Sequence, residues 1–144
     1  MTATDAPHRF PVRVYYEDTD AGGIVYHAQY LCFAERARTE LLRHVGTDHH
    51  RLLAEHGGVF AVRRALVDFR RSARLDDALV VETRMLSCSG ARLILRQDIK
   101  RDDDLLVMIE VELAFISLDL RPRRLPSRLI AGFAAMDSLP STGA

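Results

Sequence analysis

The chain has 144 residues, and its 20 basic and 20 acidic side chains cancel at neutral pH. That balance excludes a global field drawing it to nucleic acid or anionic lipid, and leaves only local patches for such partners. With 48% hydrophobic and 28% charged residues, the composition is that of a globule able to build one core without disulfide or metal staples. One domain over 1–144 is expected, with loose polar or proline-bearing tails at 1–8 and 137–144. Cys32 and Cys88 lie far apart and form no metal-type pair, so both are read as reduced thiols serving as small buried hydrophobes. The N-terminal residues carry no apolar core for a signal peptide. Nowhere do about eighteen apolar residues run together, so a cytoplasmic protein without a membrane span is expected.

In chain order, Phe10, Val12, Val14 and Tyr16 alternate and predict a strand with one apolar face. An acidic loop follows, in which Gly22 and Gly23 let the backbone turn sharply and approach a ligand. From Ala28 to Val45 the period becomes helical, with Tyr30, Ala34, Ala37, Leu41 and Val45 on one stripe, an Arg36–Glu40 pair on the wet side and Gly46 as the stop. A second short helix is expected over Asp48–His56, with Leu52 and Leu53 inward and Gly57-Gly58 ending it. Four strands follow, over Val59–Arg71, Leu79–Cys88, Ala91–Lys100 and Leu105–Leu118. Ser89-Gly90 and Arg101-Asp102-Asp103-Asp104 supply the two later turns. The last strand is apolar on both faces, as a central strand is. Leu125, Leu129, Phe133 and Met136 predict a closing helix. One strand, a helix and four linked strands describe an α+β domain with an antiparallel sheet packed on a dominant helix.

Several chemistries lose their usual support, because the sequence has no Gly-x-Ser-x-Gly elbow, P-loop, dinucleotide fingerprint or His-Glu-x-x-His helix. The loop Asp18-Thr19-Asp20 looks like the start of a calcium site, but Gln29 stands where an EF-hand needs its acidic twelfth residue. The aspartates at 102–104 read as a solvated turn, and the arginines at 63–64, 70–71 and 74 as a solvated strand end. His49, His50 and His56 belong to the short polar helix, and His44 favours the negative end of the main helix. His27 differs. It stands at the helix start, where unpaired backbone N–H groups suit an anion or a developing oxyanion, and Asp20 precedes it in the same loop. Of the other loop carboxylates, Asp18 is read as bracing the loop by hydrogen bonds to backbone N–H groups.

The run Tyr-Tyr-Glu-Asp-Thr-Asp-Ala-Gly-Gly-Ile-Val-Tyr-His at 15–27, with Tyr30 and Glu35-Arg36-Ala37-Arg38-Thr39-Glu40, resembles the hotdog-fold acyl-CoA thioesterases of the 4-hydroxybenzoyl-CoA thioesterase-like, Tol-Pal-associated (YbgC) branch. The likeness continues through Ser72–Asp77 and Pro122–Pro126 and covers roughly residues 9 to 133. It implies a five-stranded antiparallel sheet wrapped around one long central helix. It implies hydrolysis of an acyl-CoA thioester, without metal or organic cofactor, to a carboxylic acid and free CoA. Asp20 would be nucleophile or general base, and the His27 N–H would polarise the carbonyl, with the His27 side chain also in the site. Tyr16, Gly22, Gly23, Ile24, Val25 and Tyr26 would line the substrate, and some of Arg70, Arg71, Arg74 and Arg92, with Arg74 and Arg92 foremost, would meet the CoA phosphates. At the hairpin this chain has Ser89-Gly90-Ala91-Arg92 where the branch often has Arg, Gly and a hydroxyl residue, which moves any phosphate contact toward Arg92. In another hotdog branch the catalytic carboxylate is a helix Glu, which makes Glu35 and Glu40 outside candidates. The resemblance further implies dimers joined edge to edge, with the site at their interface, and dimers pairing into homotetramers. An acyl-carrier protein could replace CoA. The rival readings are a hydratase or dehydratase on the same fold, using His27 with Asp20, and a non-catalytic acyl-thioester binding module.

Overall fold

The structure is a computed structural model that describes residues 7–137. The first strand, β1 (His8–Arg13), ends earlier than the alternation through Tyr16 suggests. The reason is local. The Tyr15 N–H donates to Asp18 Oδ2 at 2.8 Å and the Asp18 N–H to the Tyr15 carbonyl at 3.0 Å, which winds Tyr16–Asp18 into a turn of 3-10 helix. Val14 keeps its inward position and is buried, but Tyr16 is turned out of the face and is 83% exposed. The expected tails fall mainly outside the described residues; within them, His8 opens β1 and Asp137 closes the last helix.

The main helix, α1 (Gln29–His44), buries Tyr30, Phe33, Ala34, Ala37, Leu41 and Leu42, the expected stripe widened by Phe33 and Leu42. Its small Ala34 and Ala37 allow close approach to β1 and to two inner strands. The Arg36–Glu40 pair does not form: Glu40 accepts from Arg43 at 2.6 Å, and the Arg36 guanidinium lies 5.9 Å from the centre of the Phe33 ring. Cys32 is exposed on the wet side, so it is no core residue, whereas Cys88 is half-buried and burial pushes its thiol pKa up. Helix α2 (His49–His56) is capped by Asp48, whose Oδ1 accepts from the Arg51 N–H at 2.8 Å.

The sheet consists of β1, β2 (Val59–Phe69), β3 (Ala78–Ser89), β4 (Arg92–Arg101) and β5 (Asp104–Ile116), all antiparallel, in the order β1-β3-β4-β5-β2. β5 is therefore internal, as its two apolar faces predict, and β1 and β2 form the edges. The β3–β4 hairpin closes through Gly90-Ala91, with Gly90 at a φ of 60° that glycine adopts freely. On the core side, Leu93, Leu95 and Ile99 of β4 are buried as the alternation requires, and Gln97 between them is buried too. On the other side, Glu82 pairs with Arg9 and Lys100, and Glu112 with Arg63 and Arg92. The Arg63 hydrogen bond to Glu112 outweighs that carboxyl's desolvation and holds its pKa below the usual value. The last helix, α3 (Ser127–Asp137), buries Leu129 and Phe133.

Candidate active site

The loop between β1 and α1 is held almost wholly by its own backbone. Thr19 bridges Val25, the Asp20 N–H donates to the Ile24 carbonyl at 2.9 Å, and the Gly23 N–H returns to the Asp20 carbonyl at 3.0 Å. Gly23 has a φ of 79°, which a side chain would strain. The Tyr26 N–H closes the loop on the Asp18 carbonyl at 2.9 Å, and the Val25 N–H ties it to the body through the Ala73 carbonyl at 2.9 Å. Ile24 bridges Arg74 through the backbone, so the Arg74 position comes to the loop while its side chain is exposed.

These bonds sort the two loop aspartates. Asp18 is buried, with Oδ2 on the Tyr15 N–H and Oδ1 without a hydrogen-bond partner among the described residues. Asp20 is exposed, and among the described residues its Oδ1 accepts only the Gly22 N–H, at 2.8 Å. A Cβ added at Gly22 would lie 3.3 Å from that same oxygen, so the glycine leaves room at the carboxylate as well as for the turn. Asp18 is thus the brace that the sequence suggests, and Asp20 is the exposed carboxylate of the loop.

At the helix start, the Gln29 N–H is taken by the Tyr26 carbonyl at 2.8 Å, but among the described residues no acceptor takes the N–H of His27 or Ala28. Unpaired donors at the positive end of a helix are of the kind that suits an oxyanion. Around them, the His27 ring lies 4.6 Å from that of Tyr26 and 6.2 Å, edge-on, from Phe69, and Tyr30 lies 6.0 Å from Phe69. Phe69 ends β2 and is 50% exposed. Nothing in the sequence pattern links it to the loop, because only the sheet register brings the end of β2 to the helix start. Tyr30 Oη accepts the Ala73 N–H at 2.9 Å, and burial pushes the phenol pKa up. In the same turn, burial raises the Asp77 carboxyl, but the Arg74 N–H and then the Arg101 guanidinium outweigh it and hold its pKa below the usual range.

Val25 is buried and packs into the core, so its part in the loop is to hold it; Ile24 is half-buried, while Gly22, Gly23 and Tyr26 are exposed. Tyr16 points outward on the preceding turn. Arg92 stands elsewhere: it pairs with Ala114 near one end of β5, whereas Phe69 pairs with Val107 toward the other, and its guanidinium contacts Glu112 at 3.3 Å. Glu35 and Glu40 lie farther along α1 and line a cavity beside Arg38. Among the described residues, no three His, Cys, Asp or Glu side chains gather as a metal-binding group, and no helix is long and apolar enough to cross a membrane.

The chain is similar to known proteins. An acyl-CoA thioester hydrolase, YbgC, of Escherichia coli is 45% identical over 128 residues, covering 87% of this chain and 94% of that protein. An acyl-CoA thioesterase, YbgC, of Haemophilus influenzae is 44% identical, covering 86% of this chain and 92% of that one. The crystal structure of a probable thioesterase from Bartonella henselae superposes with a TM-score of 0.81 at 41% identity, over 84% of this chain and 100% of that one. The five-stranded antiparallel sheet with its helices is accordingly the hotdog fold. The thioesterase-like superfamily matches residues 14–133, a span that takes in the Asp20 loop, α1 and strands β2 to β5, and the chain belongs to that family.

Proposed function

We propose that the protein hydrolyses acyl-CoA thioesters at the junction of the 15–27 loop and α1. The observation that carries this reading is the division of labour between the loop carboxylates, with Asp18 buried as a brace and Asp20 exposed in the segment that leads to the unpaired N–H groups of His27 and Ala28. In the reaction, the His27 N–H receives the thioester oxygen as it becomes an oxyanion. Asp20 either takes a proton from the attacking water or attacks the carbonyl carbon itself to form an anhydride that water then opens. In both routes the C–S bond breaks, CoA leaves as the thiol after taking up a proton, and the acid is released. The His27 side chain, backed by Phe69 and Tyr26, shapes the wall beside the carbonyl. The relatives' names, acyl-CoA thioester hydrolase and acyl-CoA thioesterase, support the same substrate class.

The active unit is a dimer. β2 is a sheet edge whose unpaired backbone groups and exposed Val62 and Leu66, at 52% and 58%, need cover. Antiparallel pairing of two β2 edges sets the Phe69 end of one subunit beside the Val59 end of the other. Val59 pairs with Ile116, and Ala114 close by pairs with Arg92. Arg92 of the partner subunit is thereby brought toward the Asp20 end, where it joins Arg74 as a group for the CoA phosphates. Pairing of dimers gives the tetramer, and the compartment is the cytoplasm.

The test is free-thiol release from acyl-CoAs ranging from short aliphatic through benzoyl to long-chain, with Asp20→Asn beside the wild type. Turnover that falls at least about a hundredfold in a folded variant is the expected result. A folded wild type that releases no thiol from any of them would move the protein to acyl-thioester binding or to acyl-carrier-protein substrates.

A further inference from the structure

β2 and β5 fall out of step at one place. Val62 pairs with Leu113 and Arg64 with Glu112, which leaves Arg63 as the extra residue of a bulge. A bulge re-aims the side chains around it. Strict alternation from Val62 would put Arg64 on the core side; the extra residue instead sets it opposite Glu112 on the outer face of the sheet. Arg63 itself hydrogen-bonds Glu112 Oε2, and from β4 the Arg92 Nε approaches the same oxygen at 3.3 Å. Three arginines from the two strands flanking β5 thus meet one carboxylate. Glu110, the next acidic side chain on this face of β5, stands opposite Arg96.

These groups are layered. The Glu112 side chain is 10% exposed, whereas those of Arg63 and Arg92 are 53% and 54%. The carboxylate therefore lies beneath and holds two guanidinium groups side by side at the surface. Each spends one nitrogen on Glu112 and keeps its other donors for a second acceptor. Arg64 is exposed opposite the same carboxylate and, among the described residues, enters no ion pair. Three positive charges against one negative leave an excess that an anion in front of the arginines would neutralise. Edge-to-edge pairing of β2 covers the backbone groups of that edge and continues the sheet sideways, so it leaves the outer face open.

We propose that Arg63 and Arg92, held side by side on Glu112 with Arg64 next to them, bind a phosphate monoester, and that this group is the 3′-phosphate at the nucleotide end of CoA. The planar guanidinium forks match a phosphate through paired hydrogen bonds. The proposal rests on the acyl-CoA reading and on the β2-edge dimer, in which the Arg92 end of one subunit approaches Asp20 of the other. It also decides between two carriers of the acyl group. An acyl-carrier protein presents the same pantetheine arm through a phosphodiester and has no 3′-phosphate, so Arg63 of the partner subunit selects for CoA.

Two measurements test it. The first is the Kd of free CoA and of 3′-dephospho-CoA for wild type, Arg63→Gln and Arg63→Lys. The wild type is expected to bind CoA at least about tenfold more tightly, Arg63→Gln to lose that ratio, and Arg63→Lys to keep part of it. A ratio that disappears in Arg63→Gln supports the site even if no thioester releases thiol, an outcome that would remove only the hydrolase reading. No preference in the wild type, or one unchanged in Arg63→Gln, overturns the proposal and leaves thiol release as a separate question; so does binding of inorganic phosphate without a preference for CoA. The second measurement uses purified hybrid dimers of one Asp20→Asn chain and one Arg63→Gln chain, with the acyl-CoA hydrolysed fastest and its dephospho form. In the hybrid the intact Asp20 faces the intact Arg63 across the interface, so the preference in kcat/KM that Arg63→Gln homodimers lack should return. Hybrids that do not form, or that show no such preference, overturn the placement of the phosphate on the partner subunit.

Discussion

The two ends of the seam between α1 and β2 are built by opposite means. At the Asp20 end the groups proposed to work are a carboxylate on a backbone-stitched loop and N–H groups of the helix start without an acceptor among the described residues, beside aromatic rings. At the Arg38 end they are side chains locked by other buried side chains, Gln97 on Thr83 and on the Ala34 carbonyl. Backbone donors survive every substitution except proline and cost nothing in side-chain entropy, which suits a site where charge develops during reaction. A buried side-chain network is costly when half-satisfied and so fixes one packing. On the proposed function, substitution of Asp20 at the first end should change rate, and substitution of Gln97 at the second should change stability.

The largest expected effect is on rate: Asp20→Ala should lose at least about a hundredfold in kcat, roughly 2.7 kcal/mol of barrier, with the melting temperature unmoved because the exposed carboxylate supports only the Gly22 turn. Stopped thiol release with an unchanged melt confirms that separation of roles. A melt that drops with the rate would join the two ends into one stability unit. Next is Gln97→Leu, which strands the Ala34 carbonyl, Thr83 and the Arg38 guanidinium together. It should cost about 2–3 kcal/mol, seen as a fall of roughly 10 °C in melting temperature.

Tyr30→Phe sits between the two regimes. It leaves the buried Ala73 N–H without its acceptor and should cost about 1–2 kcal/mol in urea unfolding, while loosening the turn that holds Val25. The smallest effect is at the far end of α1, where His8 stacks 5.3 Å from His44. Burial, then the His44 charge, lowers the His8 pKa from 6.5. The unfolded chain takes up that proton first as pH falls, so the contribution of His8 is intact above pH 6.5 and is lost as pH drops toward the lowered folded-state value. Melting temperatures from pH 7.5 to 5 should decline less steeply in His8→Phe, which keeps the ring contact and removes the titration. Equal slopes would place the acid sensitivity elsewhere.

Much of this was readable in the residues. Local rules act over a few positions, so the alternation of β4, the alanine-bearing stripe of α1, the Asp48 cap and the glycine of the β3–β4 turn all appear where their patterns lie. The loop, its glycines and the helix start are contiguous, so their local geometry was expected from the sequence, while the roles proposed for Asp20 and the His27 N–H come from the family resemblance. Where two local preferences competed, the pattern misled. The alternation carried Tyr16 inward, but the Asp18 carboxylate bound the backbone and turned it outward. Arg36 had Glu40 at helical spacing, yet Glu40 bonded Arg43 and Arg36 lay over Phe33.

What the sequence by itself determined was the inventory: the α+β order, the strand and helix positions, the family and the loop proposed as the site. Tertiary structure alone decided the neighbours, because strand register is set by pairing between distant segments and hydrophobic burial has no direction along the chain. Register put Phe69 beside His27, placed Arg92 at the opposite end of its own sheet, and made Gln97, a polar residue in an apolar row, the fixed support behind Arg38.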